Sequence, residues 1–202
     1  KAKECTQIIT FTKLIRTTTI LLISAGFILM STQSLALDCS QASITLATQA
    51  DVDNFQTNYG AGDVCDRVSQ NLQILGDMNN LDGLSALTSV GGSLQLLSNT
   101  DLVDIEGLSE LSSAGLLQID GNSQLTNVDG LSNLISVGAV LGIANNPMLA
   151  DLSGLSKLSS VGTTLDISFN PKLDNIDGLS SLKSVGGLVN VFVNVSLANV
   201  DG

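Results

Sequence analysis

The chain has 202 residues and a formal net charge of −11; 13% of its residues are charged, 3% are aromatic, and it has neither tryptophan nor histidine. Without histidine there is no Ser-His-Asp triad, no imidazole acid-base chemistry and no histidine-ligated metal. The acidity repels phosphate backbones, so nucleic acid is not an expected partner, and it disfavours electrostatic docking on anionic lipid.

The charge is uneven. Lys1, Lys3, Lys13 and Arg16 lie in the first sixteen positions, whereas from Leu37 onward four basic residues face eighteen acidic ones. The basic start is followed by the apolar run "TTTILLISAGFILM" (17–30) and by "STQSLA" (31–36). A positive region, an apolar region and small residues at a cut site form the layout of a secretory signal peptide, here residues 1–36. Ser34 and Ala36 suit the positions before cleavage. An uncleaved anchor is the competing reading: residues 17–37 are nearly long enough to span a bilayer, but Thr, Ser and Gln dilute them. Cleavage is preferred, with no membrane insertion afterwards. Asp38 before Cys39 argues against a lipidation signal. The chain begins with Lys rather than Met, and the expectation is a true start upstream or at an alternative site.

Cys5 leaves with such a signal, and Cys39 and Cys65 remain as an even pair in an exported chain. A thiol nucleophile would need a base, and histidine is absent, so a disulfide is expected. It would contribute about 3–4 kcal/mol by the chain-entropy argument. The pair belongs to a small N-terminal cap, residues 37–71. Ser43–Leu46 reads as a strand, and Thr48 can cap a short helix from about Gln49 to Phe55 with Val52 and Phe55 on one face. "NLQILGDMNNLDGL" (71–84) reads as a shortened first coil with Leu72, Ile74 and Leu81 inward.

From there the chain repeats. Gly-Leu followed by Ser recurs at Gly83, Gly107, Gly130, Gly154 and Gly178, at spacings of 24, 23, 24 and 24 residues. A fixed period of this length is the mark of stacked repeats. Leucine always follows the glycine and recurs three residues later. Then come Val90, Ala114, Val137, Val161 and Val185, each followed by glycine. The second repeat is one residue short just after this point. The pairs Leu94/Leu96, Leu117/Ile119, Leu141/Ile143, Leu165/Ile167 and Val189/Val191 alternate as in a short strand. The glycine after each valine suits a bend with positive φ or a close backbone approach.

An unbroken column of asparagines follows: Asn99, Asn122, Asn146, Asn170 and Asn194. A carboxamide carries both donors and acceptors. Turned inward, it can satisfy backbone groups of its own coil and the next, as a structural ladder. Asn194-Val195-Ser196 matches a glycosylation sequon, but Asn194 belongs to the column and is expected to be buried and unmodified.

The recurring pattern L-x-[LI]-x-x-N-x-x-L-x-x-[IVL]-[DES]-G-L-S-x-L-x-S-V-G resembles receptor L-domain-like proteins, relatives of leucine-rich repeats. The resemblance covers about residues 72–202, and "SITLATQADVDNF" (43–55) is similar to the cap ahead of such repeats in exported bacterial proteins. It implies a mainly β, right-handed solenoid of ~24-residue coils, of the L-domain parallel β-helix type, with a small α/β cap. It also implies an exported location and a recognition role. The ligand contacts of the receptors do not carry over, because they lie in insertions that this regular array lacks. Asp201-Gly202 begins a sixth repeat. The expectation is a longer chain, with a C-terminal partner domain as one form of it.

Most carboxylates recur at the repeat boundary, as in Asp82, Glu106, Asp129 and Asp177, where a turn role explains them together. They do not gather into an acid pair for glycoside hydrolysis. The glycine-aspartate nonapeptide of calcium β-rolls is absent. No enzyme activity, metal or cofactor is therefore expected. The residues that the repeat does not dictate are the outward strand positions: Gln95/Leu97, Gln118/Asp120, Gly142/Ala144, Asp166/Ser168 and Asn190/Phe192, with Phe169 beside them. Gln95, Gln118, Asp120, Asp166, Ser168, Phe169, Asn190 and Phe192 are the candidate contacts for a protein or glycan ligand on a secreted or cell-surface module. The alternatives are a merely solvated face and a passive envelope spacer.

Overall fold

A computed structural model describes Cys39 and residues 42–60 and 64–198. The proposed signal segment 1–36, its cut site, Cys5 and Asp201-Gly202 lie outside the described residues. Among the described residues the fold is mainly β, with one parallel, unclosed sheet of eleven strands and two short α-helices.

The cap opens with β1 (Ile44–Leu46). Helix α1 (Gln49–Asp53) starts at Thr48 through a reciprocal capping box with Asp51, which satisfies backbone donors that a helix start leaves open. The Asp51 carboxyl is held below its ordinary pKa first by the Thr48 hydroxyl, then by the backbone N–H groups of Ala47 and Thr48. This contribution is present above the ordinary carboxylate range and is lost as pH falls through the lowered value. The single expected helix is in fact two. Asn54 ends α1, and α2 (Phe55–Tyr59) follows directly. Val52 and Phe55 are buried as expected. Cys39 and Cys65 are joined by a disulfide, which fits an oxidising compartment. Gln56 grips the Cys65 backbone from both sides, accepting from its N–H at 2.7 Å and donating to its carbonyl at 3.1 Å.

The strands follow as β2 (Arg67–Val68), β3 (Leu72–Leu75), β4 (Ser89–Leu97), β5 (Ser113–Asp120), β6 (Ser136–Val137), β7 (Val140–Ala144), β8 (Ser160–Val161), β9 (Thr164–Ser168), β10 (Ser184–Val185) and β11 (Val189–Phe192). They pair in two rows. One runs β1-β3-β4-β5-β7-β9-β11, the other β2-β4-β5-β6-β8-β10, and β4 and β5 are long enough to belong to both. Leu94, Leu117, Leu141, Leu165 and Val189 stand in register, as do Leu96, Ile119, Ile143, Ile167 and Val191. Equivalent positions of successive repeats are therefore direct neighbours. The residue missing from the second repeat is absorbed where the β4–β5 register shifts, between Val90 and Ser93.

The inward aliphatics of neighbouring repeats form one continuous core from Ile44 to Leu179. Full burial of each such side chain is worth about 1.5–3 kcal/mol before the entropy of ordering is subtracted. In the last repeat Leu182, Val185, Val191 and Leu197 are only partly buried. Among the described residues β11 pairs with β9 alone.

Between the strand rows, each Gly-Leu with the residue before it forms a 3-10 turn that the following serine ends: Asp82–Leu84, Glu106–Leu108, Asp129–Leu131, Ser153–Leu155 and Asp177–Leu179. Its glycine is fixed by distance. A Cβ on Gly130 or Gly154 would overlap the carbonyl of Ile105 or Val128 in the preceding repeat. At Gly83 the obstructing carbonyl belongs to Val52, so α1 takes the place of a preceding repeat. The glycines after the valines also mark close approach, since none of them has positive φ.

Gly142 is different: a Cβ there would meet only Gln118 Cγ, at 4.0 Å. Two alanine substitutions should therefore have opposite signs. Gly154→Ala should cost about 3 kcal/mol or more, because rigid backbone must move. Gly142→Ala should be neutral or stabilise by up to about 1 kcal/mol, since glycine weakens a strand. Urea titration of both variants measures this directly, and equal effects would contradict the difference in packing.

Candidate functional site

The strand row ends in a turn that separates buried architecture from surface. Asn99, Asn122, Asn146 and Asn170 are fully buried and Asn194 is 8% exposed. Their reach is wider than expected, extending to the preceding repeat as well. The amides reach forward as well as back: the Nδ2 groups of Asn99, Asn122 and Asn146 donate to Oδ1 of the next asparagine, at 3.0–3.3 Å, and those of Asn122, Asn146, Asn170 and Asn194 donate to the carbonyls of Leu96, Ile119, Ile143 and Ile167, at 2.9–3.2 Å. The same side chains accept, through Oδ1, the backbone N–H of the preceding asparagine at 2.9–3.1 Å. Asn146 and Asn170 also donate to their own strand ends, Ala144 and Ser168.

The ladder begins imperfectly. Asn99 Oδ1 is buried without a donor. The β3–β4 pairing ends at Leu75 and Leu97, and Asp77, two residues on, is exposed and accepts from the Thr100 hydroxyl.

A second polar column escaped the sequence reading. Asn80, Asp104, Asn127, Asp151 and Asn175 each accept the backbone N–H two residues on, at 2.9–3.2 Å, and so start the 3-10 turns. These are Asx turns. With them, most of the polar residues at the repeat boundary have a structural part.

The outward row runs Gln73, Gln95, Gln118, Gly142, Asp166 and Asn190 in continuous register, and the next outward row runs Leu75, Leu97, Asp120, Ala144, Ser168 and Phe192. Gln95 donates to Gln118 at 3.0 Å. Asp120 accepts from Asn145 at 2.9 Å and from Gln118 at 3.5 Å. Asp166 differs, because its Oδ1 is enclosed and accepts from no group. Asn190 and Asp166 are half-buried neighbours. Phe169 and Phe192 form an edge-to-face pair with centroids 5.3 Å apart, and they are 44% and 45% exposed.

Ser168 is a correction. It was expected to offer its hydroxyl outward, but it is 3% exposed. Its small side chain stands opposite Phe192 in register and precedes Phe169, so the larger neighbours overtop it. The other seven candidate contacts are partly or well exposed.

No family model, curated protein or solved structure matches this chain. Among the described residues, no group of three or more His, Cys, Asp or Glu is placed to hold a metal ion, and no helix is long and apolar enough to cross a membrane.

The residue before each ladder asparagine is the other feature that the sequence reading missed. Ser98, Gly121, Asn145, Phe169 and Val193 all have φ between 54° and 73°. Glycine and asparagine accept this left-handed backbone, but Phe169 and Val193 are strained there, by about 1–2 kcal/mol each.

Two stability predictions follow from the turn. Asn146→Ala and Asn170→Ala should each cost about 1–3 kcal/mol, because a buried N–H loses its acceptor, and should lower the melting temperature by about 3–10 °C. Unchanged melting of both variants would show that the ladder carries no weight. Val193→Asn should instead stabilise by about 1 kcal/mol, since Val193 is half exposed and little packing is lost; a fall in melting temperature would mean that its contacts outweigh the backbone strain.

Proposed function

We propose that the chain is a non-catalytic recognition module, exported and displayed outside the cell, which binds a protein or glycan ligand on its outward strand ribbon. In this reading the parallel sheet belongs to a right-handed solenoid of the receptor L-domain type. The 24-residue offset between paired strands supports this, and so does the right-handedness favoured for parallel crossovers. The Cys39–Cys65 bridge supports export.

The observation that carries the proposal is a contrast along the strands. Inward positions repeat Leu, Ile or Val from one strand to the next, while the outward positions in register with them change from Gln to Gly, Asp and Asn. Core packing and turn formation account for the constant positions and leave the variable ones undictated. The lack of histidine supports a binding role over catalysis.

A passive spacer is the second reading. It is favoured by the Gln95–Gln118 hydrogen bond, which satisfies part of the ribbon without a ligand.

A chain with Gln118, Asp166 and Phe192 all replaced by alanine should keep its melting temperature within a few degrees, because these side chains point outward. It should lose at least tenfold in binding to whatever glycan or surface protein the wild-type chain retains on arrays. Full retention of binding would place the ligand elsewhere, and no ligand for either chain would leave the spacer reading.

A further inference from the structure

Resting on the ribbon reading above, we propose that the ribbon's ligand is a protein segment presenting a cationic side chain, arginine foremost, at Asp166 and the Phe169–Phe192 pair. Asp166 holds the outward place between Gly142 and Asn190. Its Oδ1 is withdrawn from solvent yet accepts from no donor. The other ribbon carboxylate, Asp120, is held by Asn145 and Gln118. A carboxylate partly removed from water and left without donors is a charge that lacks its partner. A guanidinium offers several donors in a planar fork that suits a carboxylate.

The surroundings favour the same ligand. On one side Gly142 has no side chain, and a Cβ there would meet nothing closer than Gln118 Cγ, at 4.0 Å, so a planar group can lie beside Asp166. Two residues along β9, Ser168 stands opposite Phe192, about 7 Å from Asp166 by strand rise. The exposed Phe169–Phe192 pair is thus within reach of the same long side chain. An arginine can lay its apolar stem and cationic face on such rings while its fork meets the carboxylate. Nothing on this face competes: among the described residues the basic side chains are Arg67, Lys157, Lys172 and Lys183, and none lies in the outward rows. An anionic ligand would meet Asp120 and Asp166 without a compensating cation.

The test uses the full chain and an array of ten-residue serine-valine peptides that differ only at a central arginine, lysine, citrulline, glutamate or leucine. Retention should rank arginine above lysine and both far above citrulline, glutamate and leucine, and should weaken as salt is raised. Asp166→Asn and Phe192→Ala should each reduce retention of the arginine peptide at least tenfold. Glu110→Gln, at an exposed acid outside the outward rows, should leave it unchanged, and the melting temperatures of all three variants verify that they are folded. Equal retention of arginine and citrulline peptides, or none, would overturn the cationic assignment. Glycan binding that is lost in Phe192→Ala would overturn it too while keeping the ribbon reading. Absence of both peptide and glycan binding would remove the two together.

Discussion

Parallel strand pairing sets neighbouring repeats about 4.8 Å apart, and every other segment of each repeat must accept that spacing. The strands meet it through backbone hydrogen bonds. The 3-10 turns meet it by omitting a side chain, which lets Gly130 and Gly154 lie against the carbonyls of Ile105 and Val128. The ladder asparagines meet it by spanning the gap with one carboxamide that donates to a strand carbonyl and accepts the preceding asparagine's N–H. Leucine, asparagine and glycine columns are three answers to one distance. This explains how a chain with few aromatics can be ordered: small, equivalent contacts recur at each step.

The period made much of this legible in the sequence. Leucine and asparagine positions were readable because each has one physical role in every repeat. The Cys39–Cys65 bridge was readable from an even cysteine pair behind an expected export signal, with no histidine to serve a thiol nucleophile. The left-handed position was hidden because its occupants are Ser98, Gly121, Asn145, Phe169 and Val193; only two of them favour that backbone, so the tertiary turn overrides local preference. The Asx column was hidden for the opposite reason. Asn80, Asp104, Asn127, Asp151 and Asn175 alternate between amide and acid, and they look like ordinary surface polarity until their oxygens are seen to accept the turn N–H. Ser168 was misplaced because strand alternation tells which side a residue faces but not how tall its neighbours are.

The site is less legible than the fold, since whatever varies between repeats is by definition outside the pattern. Once the turn acids and asparagines are assigned to architecture, little polar chemistry remains. Asp166 stands out only in three dimensions, where the glycine beside it and the two phenylalanines beyond it give one carboxylate a setting unlike that of Asp120. Both acids occupy outward strand positions in the sequence; hydrogen-bond partners tell them apart.

The short second repeat shows where such a chain can change its length. The residue it lacks is taken up between Val90 and Ser93, and the pairing of Leu94 with Leu117 and the Asn99–Asn122 rung resume undisturbed beyond it. That bend joins two strand segments and carries no asparagine rung. It is the seam where a repeat can gain or lose a residue while the layers on either side stay in step. The stretch from strand to asparagine offers no such slack, because one added residue there would put a different side chain on that repeat's rung.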